Sequence, residues 1–392
     1  MDWWQSLVHV CRRWRCLIFG SARRLNLQLV CKPRITAKRS LDVWPALPLV
    51  VSGKVDRVIP KLKHSDRIRQ IQLSCNASAY VESLWNAMQV PFPELVALRL
   101  SVPGWPNEPA LPDSFLGGSA PRLRYLTLCL VRFPRLPKLL LSATHLVHLY
   151  LRYIRPSRYI SPKAMANCVA VLTSLEELHL RFQSPPSSPG RGSRRPPPPI
   201  RSVLPALTEF WFKGINEYSE DFVSRINTPR LYWLSIMLFG NIDTPELKQF
   251  ISRTPRFGAY NEVLLIFDDD SVLVRLQSQP EHRMVEVQIL CGEPVRQLSS
   301  MTHICASALH PLLTMDNVYF IGDQFTPLLS TDGIESADWL DPMTRRVHRV
   351  SRCGRRGVVA CLSSSRFSSN AISLMGGPSL CGRTDDPRIL TR

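Results

Sequence analysis

The chain lacks every short motif that would give it an obvious catalytic chemistry. G-x-S-x-G, the phosphate-cradling G-x-x-x-x-G-K, G-x-G-x-x-G and H-E-x-x-H do not occur in its 392 residues. Acyl transfer, nucleotide hydrolysis, dinucleotide binding and zinc hydrolysis are therefore left without a recognisable site. No cofactor is expected, and the chain reads as a non-enzyme. None of its eleven cysteines forms C-x-x-C, and the closest pair, Cys11 and Cys16, has no His or Cys partner at zinc spacing. No metal site is expected on that ground. Asp268, Asp269 and Asp270 lack further oxygen ligands at EF-hand spacing and read as a hairpin turn. No uncharged run reaches the ~18 residues that a membrane span needs, and Arg12, Arg13 and Arg15 break the apolar N-terminal stretch that a signal peptide would need. The expected setting is the cytoplasm or nucleus, with no membrane partner. Lysine is also scarce: 40 of the 49 basic residues are arginine. The net charge of +18 is spread along the chain rather than gathered in one patch, which points away from nucleic acid as the partner.

What is abundant is leucine in a fixed spacing. Leu123, Leu126 and Leu128 fall as L-x-x-L-x-L, and Leu146, Leu149 and Leu151 repeat it. The same spacing occurs at Ile68/Ile71/Leu73, Leu95/Leu98/Leu100, Leu175/Leu178/Leu180, Leu207/Phe210/Phe212 and Leu231/Leu234/Ile236. Steps between first positions are 27, 28, 23, 29, 32 and 24 residues. In an extended segment the last two apolar residues of each triplet share one face, and one copy cannot bury its leucines alone. This period predicts an α/β fold, an irregular leucine-rich-repeat solenoid or horseshoe, over residues 24–336. Pro-x-Leu lead-ins at Pro93, Pro121, Pro205 and Pro229 mark one phase of the period. Returning segments with apolar stripes at helical spacing include Val81/Leu84/Trp85/Met88, Met165/Cys168/Val169/Leu172 and Leu247/Phe250/Ile251. Ser161-Pro162 and Thr244-Pro245 read as helix starts. Residues 184–199, SPPSSPGRGSRRPPPP, form a Pro-rich loop insert. Strands are expected to continue through EVLLIF, SVLVRL and MVEVQIL and again near 312–321. Residues 337–392 form a basic tail with the composition of a disordered segment: from 340 onward it holds ten Arg, no Lys, three Asp and no Glu.

At the N-terminus, Leu7, Val10, Cys11, Trp14 and Ile18 recur as one helical stripe, predicting a single helix over 4–19 within a module of residues 1–21. The segment WQSLVHVCRRWRCLIF, through Trp4, Leu7, Val10, Cys11, Arg12, Trp14 and Arg15, resembles the C-terminal half of an F-box. With the triplets that follow, and with segments such as LDVWPALPL, VPFPEL, LPDSFLGGSAPRL, LLLSATHL and FISRTP, the chain is similar to the F-box/leucine-rich-repeat proteins expanded in mushroom-forming fungi. The front half of the F-box is not in the sequence. That resemblance implies a substrate-recognition subunit of an SCF-type ubiquitin ligase. Trp4, Leu7, Val10, Cys11, Trp14 and Ile18 would bind a Skp-type adaptor, and the repeats would hold a protein target whose identity the sequence does not carry. The alternative is an interaction scaffold, or a degenerate copy, that no longer joins the ligase.

The residue between the last two apolar positions of a triplet, and the residue two before it, should project from the concave face. Arg99, Tyr125, Thr127, Tyr150, His179, Trp211 and Trp233 are the candidate target-binding residues, because Tyr, Trp and Arg dominate interface hot spots. Gln72, Gln70, Ala97, His148, Glu177, Glu209 and Ser235 project from the same face, and exposed Trp211, Tyr150 and Trp233 would be costly to leave bare.

Overall fold

A computed structural model describes residues 10–21, 28–31, 47–104, 109–132, 138–155, 160–184, 200–239, 244–258, 260, 262–278, 283–292, 297, 299–300, and the strand backbones 317–322, 347–352 and 358–363. The strands are β1 (Leu29–Cys31), β2 (Leu49–Lys54), β3 (Ile68–Ser74), β4 (Ala97–Ser101), β5 (Tyr125–Cys129), β6 (His148–Ile154) and β7 (Glu177–Phe182). They continue as β8 (Ser202–Val203), β9 (Glu209–Ile215), β10 (Ile226–Asn227), β11 (Trp233–Phe239), β12 (Glu262–Asp268), β13 (Ser271–Ser278), β14 (Arg283–Leu290), β15 (Asn317–Gly322), β16 (Val347–Arg352) and β17 (Val358–Ser363). Fifteen of them make one sheet, in the order β1-β2-β3-β4-β5-β6-β7-β9-β11-β14-β13-β12-β15-β17-β16. β8 and β10 pair separately.

The triplets set the register. Ile71, Leu98, Leu126, Leu149, Leu178, Phe210 and Leu234 stand opposite one another from strand to strand, and so do Leu73, Leu100, Leu128, Leu151, Leu180, Phe212 and Ile236. Every one of these is buried. Each removes ~1.5–3 kcal/mol worth of apolar surface from water, so a one-residue slip of any strand would turn its share of the core outward. From the second triplet onward, the first residue of each triplet closes a tight turn. The N–H of Leu95, Leu123, Leu207 and Leu231 donates to the carbonyl three residues back, on Phe92, Ala120, Leu204 and Thr228. Pro93, Pro121, Pro205 and Pro229 each occupy the second turn position, where the fixed φ of proline is pre-set. The prolines therefore shape the turn rather than the strand itself.

The leucine-rich-repeat horseshoe expected from the triplets is not what forms. The chain folds as an open, mostly parallel α/β sheet with few helices. Among the described residues, nine-residue helices return only at some crossovers, as at Ala79–Ala87, Pro162–Ala170 and Asn216–Ser224. Among their described residues, the β4–β5 connection carries the short turn Phe115–Gly118 and the β5–β6 connection the five-residue helix Lys138–Ser142. The neighbour of β11 is β14, not β12, and β12, β13 and β14 run as an antiparallel meander. The physical reason is that a triplet dictates which strand residues are buried and leaves the return path open. Repeat steps of 23 to 32 residues give returns that differ from one crossover to the next, so the described connections form no uniform helix layer.

In chain order the described helices are α1 (Arg12–Gly20), α2 (Val55–Val58), α3 (Ala79–Ala87), α4 (Lys138–Ser142), α5 (Pro162–Ala170), α6 (Asn216–Ser224) and α7 (Pro245–Arg253). The buried stripes of α3, α5, α6 and α7 join the strand leucines in one core. Ser161 caps α5 as expected, its side chain accepting from the Ala164 N–H at 3.2 Å. Thr244 makes no such bond to α7. Instead, Glu220 of α6 accepts from the N–H of Glu246 at 2.8 Å and of Leu247 at 3.0 Å. At the N-terminus, Cys11 has extended backbone angles and is the N-cap of α1, its sulfur accepting from Trp14 N–H at 3.5 Å. The described helix thus starts at Arg12, and the single helix expected over 4–19 does not run through Cys11. Asp269 and Asp270 form the turn between β12 and β13, as the hairpin reading required. β16 and β17 fall inside the 337–392 stretch expected to lack structure. The rest of that stretch and residues 185–199 of the insert lie outside the described residues.

Candidate functional site

On the sheet face opposite the core, alternate residues line up in three rows. One row runs Ala97, Tyr125, His148, Glu177, Glu209, Trp233. The next runs Gln72, Arg99, Thr127, Tyr150, His179, Trp211, Ser235 and on to Glu286 of β14. A third runs Cys129, Arg152, Arg181, Lys213. Parallel pairing puts neighbours in a row ~4.8 Å apart. The seven residues expected on the target face thus sit together, Tyr125 and Trp233 in the first row and the other five in the second.

Aromatic rings bridge the first two rows. Tyr125 stacks on His148 at 4.6 Å between centroids, Tyr150 lies 4.1 Å from His179, His179 stacks on Trp211 at 5.4 Å, and Trp211 on Trp233 at 5.7 Å. Such pairs contribute ~0.5–1.5 kcal/mol each beyond their burial. They also correct the expectation that these rings stand bare. Tyr150 is 7% exposed and His179 9%, covered by their neighbours, while Trp211 and Trp233 are half-buried.

Two carboxylates lie in this ring system. Tyr150 OH donates to Glu177 Oε2. His148 Nδ1 lies 3.0 Å from the same oxygen, an ion-pair approach that misses hydrogen-bond direction. Burial acts to raise the Glu177 pKa, but these contacts outweigh it and hold the carboxyl below its ordinary value. Tyr232 OH donates to Glu209 Oε1 at 3.1 Å. Burial, and then the charge of Glu177, push the Glu209 pKa up. The Tyr232 phenol is pushed up to about 12 by burial and then by Glu209. His179 is held neutral: burial, then Arg152, lower its pKa to about 3. Neither of its ring nitrogens has a hydrogen-bond partner. Nitrogen of His179 and oxygens of Glu177 and Glu209 lie within 4.8 Å of one another. A three-residue donor set of this kind escapes a motif search, because Glu177 and Glu209 sit 32 residues apart on adjacent strands.

The third row is basic. Burial, then Arg181 and Arg99, lower the Arg152 pKa, and burial, then Arg181, lowers that of Lys213. Arg152 also lies over the Tyr150 ring at 5.3 Å. Towards the meander, Arg275 pairs with Glu286 at 2.7 Å, and Ser235 Oγ donates to the same carboxylate at 3.0 Å. At the strand entrances, a shallow groove of about 610 Å³ is lined by Arg122, Arg124, His145, Val147 and Glu176 among others.

Of the residues assigned to adaptor binding, Trp4 and Leu7 lie outside the described residues. Val10, Cys11 and Trp14 are exposed, as is Leu17, whereas Ile18 is buried. The stripe is therefore split: Ile18 faces inward, and Val10, Trp14 and Leu17 leave apolar surface in solvent. No helix among the described residues is long and apolar enough to cross a membrane. No protein-family model matches the chain, and a search of curated proteins returns no match.

Proposed function

We propose that this chain is a non-enzymatic substrate-recognition subunit of an SCF-type ubiquitin ligase, working in the cytoplasm or nucleus. The open sheet face would take a protein target, and the N-terminal segment a Skp-type adaptor. The observation that carries the target half is the ladder Tyr125–His148 and Tyr150–His179–Trp211–Trp233, flanked by the basic row of Arg152, Arg181 and Lys213. Rigid aromatics edged by charge are what protein interfaces use at their centres. The adaptor half is supported by the exposed apolar side chains of Val10, Trp14 and Leu17 and by the F-box resemblance.

A second reading is favoured by the helix start at Cys11 and the burial of Ile18. It is an interaction scaffold that holds a target without joining the ligase. Pull-down of the full chain with purified Skp-type adaptor separates the two. Capture that is lost in Trp14→Ala and Leu17→Asp supports the ligase reading. Absence of capture by the unaltered chain refutes it and leaves the scaffold. Loss of target binding in Trp211→Ala, with the fold intact by circular dichroism, would tie either function to the sheet face.

A further inference from the structure

We propose that Glu177, His179 and Glu209 form a binding site for a divalent transition-metal ion, with Zn²⁺ the best-suited occupant. The inference does not depend on the ligase reading. One nitrogen and two carboxylate oxygens from these residues converge within 4.8 Å of one another. His179 is 9% exposed, and neither ring nitrogen has a hydrogen-bond partner. Buried polar atoms in native proteins are nearly always paired, so a closed-off imidazole with both nitrogens idle needs an occupant. An imidazole nitrogen with two carboxylates suits Zn²⁺ and its transition-row neighbours, whereas Mg²⁺ and Ca²⁺ prefer oxygen alone.

The surroundings are also those of a metal centre. Sites of this type hold their ligands through outer hydrogen bonds. Here Tyr150 OH donates to Glu177 Oε2 and Tyr232 OH to Glu209 Oε1, and His148 Nδ1 lies 3.0 Å from Glu177 Oε2 without a hydrogen bond. The His179 ring is fixed between Tyr150 and Trp211. Glu177 and Glu209 are direct neighbours across β7 and β9. Two like charges facing each other there are unfavourable unless a cation lies between them. Arg152, one register row further along β6, places its guanidinium over the Tyr150 ring at 5.3 Å.

The test uses the full chain with its accessible thiols alkylated, stripped by chelator and titrated with ZnCl₂. Bound zinc is counted by elemental mass spectrometry after gel filtration, and tryptophan fluorescence is followed. The expected result is one zinc per chain with a change in emission, because Trp211 stacks on the ligand ring. Glu209→Gln and His179→Ala should each weaken binding by more than ~10-fold, and Tyr232→Phe, which loses only an outer contact, by ~10-fold. His64→Ala, away from the cluster, should bind as the unaltered chain does. Equal concentrations of Mg²⁺ or Ca²⁺ should not displace the zinc. The proposal is overturned if the unaltered chain holds no zinc, or if Glu209→Gln holds it as tightly. Glu209→Gln keeps size and shape, so it decides the matter even where His179→Ala unfolds.

Discussion

Removing the carboxylate of Glu220 should loosen helix α7 without touching the sheet. The first free donors of α7 are the N–H groups of Glu246 and Leu247, since Pro245 has none to give. Thr244, although buried, leaves its hydroxyl unpaired. Glu220 takes both donors, one on each oxygen, at 2.8 and 3.0 Å. A hydrogen bond to a charged group contributes ~1.5–3 kcal/mol. The carboxylate also faces the positive end of the helix dipole, worth another ~0.3–1 kcal/mol. Partial exposure to water lowers the sum, and ~2–3 kcal/mol is expected for Glu220→Ala. Glu220→Gln keeps one acceptor oxygen and should lose about half of that. Amide hydrogen exchange across 245–253 reads the effect locally, where ~2–3 kcal/mol corresponds to exchange about 30- to 150-fold faster. Strands β3 to β7 should keep their protection. Unchanged exchange in α7 of Glu220→Ala would refute the cap, and equal loosening over the whole sheet would show that Glu220 acts on global stability instead.

Gly214→Ala should destabilise, because a Cβ there would stand 2.7 Å from Phe212 Cζ and 3.0 Å from Phe182 Cδ2 inside a packed aromatic cluster. The cost is ~1–3 kcal/mol, seen as a Tm lowered by several degrees, and an unchanged Tm refutes the close packing. Tyr153→Gly should stabilise by ~0.5–1 kcal/mol. Tyr153 holds φ of 59° at the bulge where β6 slips against β7, and its side chain is exposed, so little packing is lost. A fall in Tm would show that the ring matters more than the backbone. Burial pushes the Cys168 thiol up to about 12, so at pH 8 it should stay unalkylated in the folded chain while exposed Cys11 and Cys16 label. Peptide mapping by mass spectrometry checks this, and labelling of Cys168 as fast as Cys11 would contradict its burial.

The strand set was legible because burial in a parallel sheet depends on local parity, which L-x-x-L-x-L states directly. Leu126, Leu149 and Leu178 could be placed opposite one another from spacing alone, and so could the side chains between them. The return path was not legible. Nothing in the 23-residue step from Leu123 to Leu146 says that the described part of the return will hold a five-residue helix, and the pairing of β11 with β14 depends on a long-range choice among three similar strands. Apolar periodicity runs α1 back through Cys11 because it is blind to backbone angles. Cys11 fits the apolar stripe, yet sits in an extended conformation that begins the helix. The donor set of Glu177, His179 and Glu209 was legible as three residues on one face. It was not legible as a cluster, because that requires knowing that β7 and β9 are neighbours despite the Pro-rich insert and β8 between them.

The same parity that buries the leucines frees the face. In β3 to β7, β9 and β11 the triplet core positions hold apolar side chains, each closed in by its counterparts on the neighbouring strands. The alternate positions carry no such demand. Along one row they hold Gln72, Arg99, Thr127, Tyr150, His179, Trp211 and Ser235, seven different residue types on one backbone frame. A sheet of this design can change what it binds by changing the alternate residues while its core packing stays as it is. The aromatic ladder is then a property of this chain's particular face and not of its fold. Its burial, reaching 7% exposure at Tyr150, comes from rings on adjacent strands covering one another. Substituting Trp211 should therefore open His179 to solvent and leave the leucine rows closed.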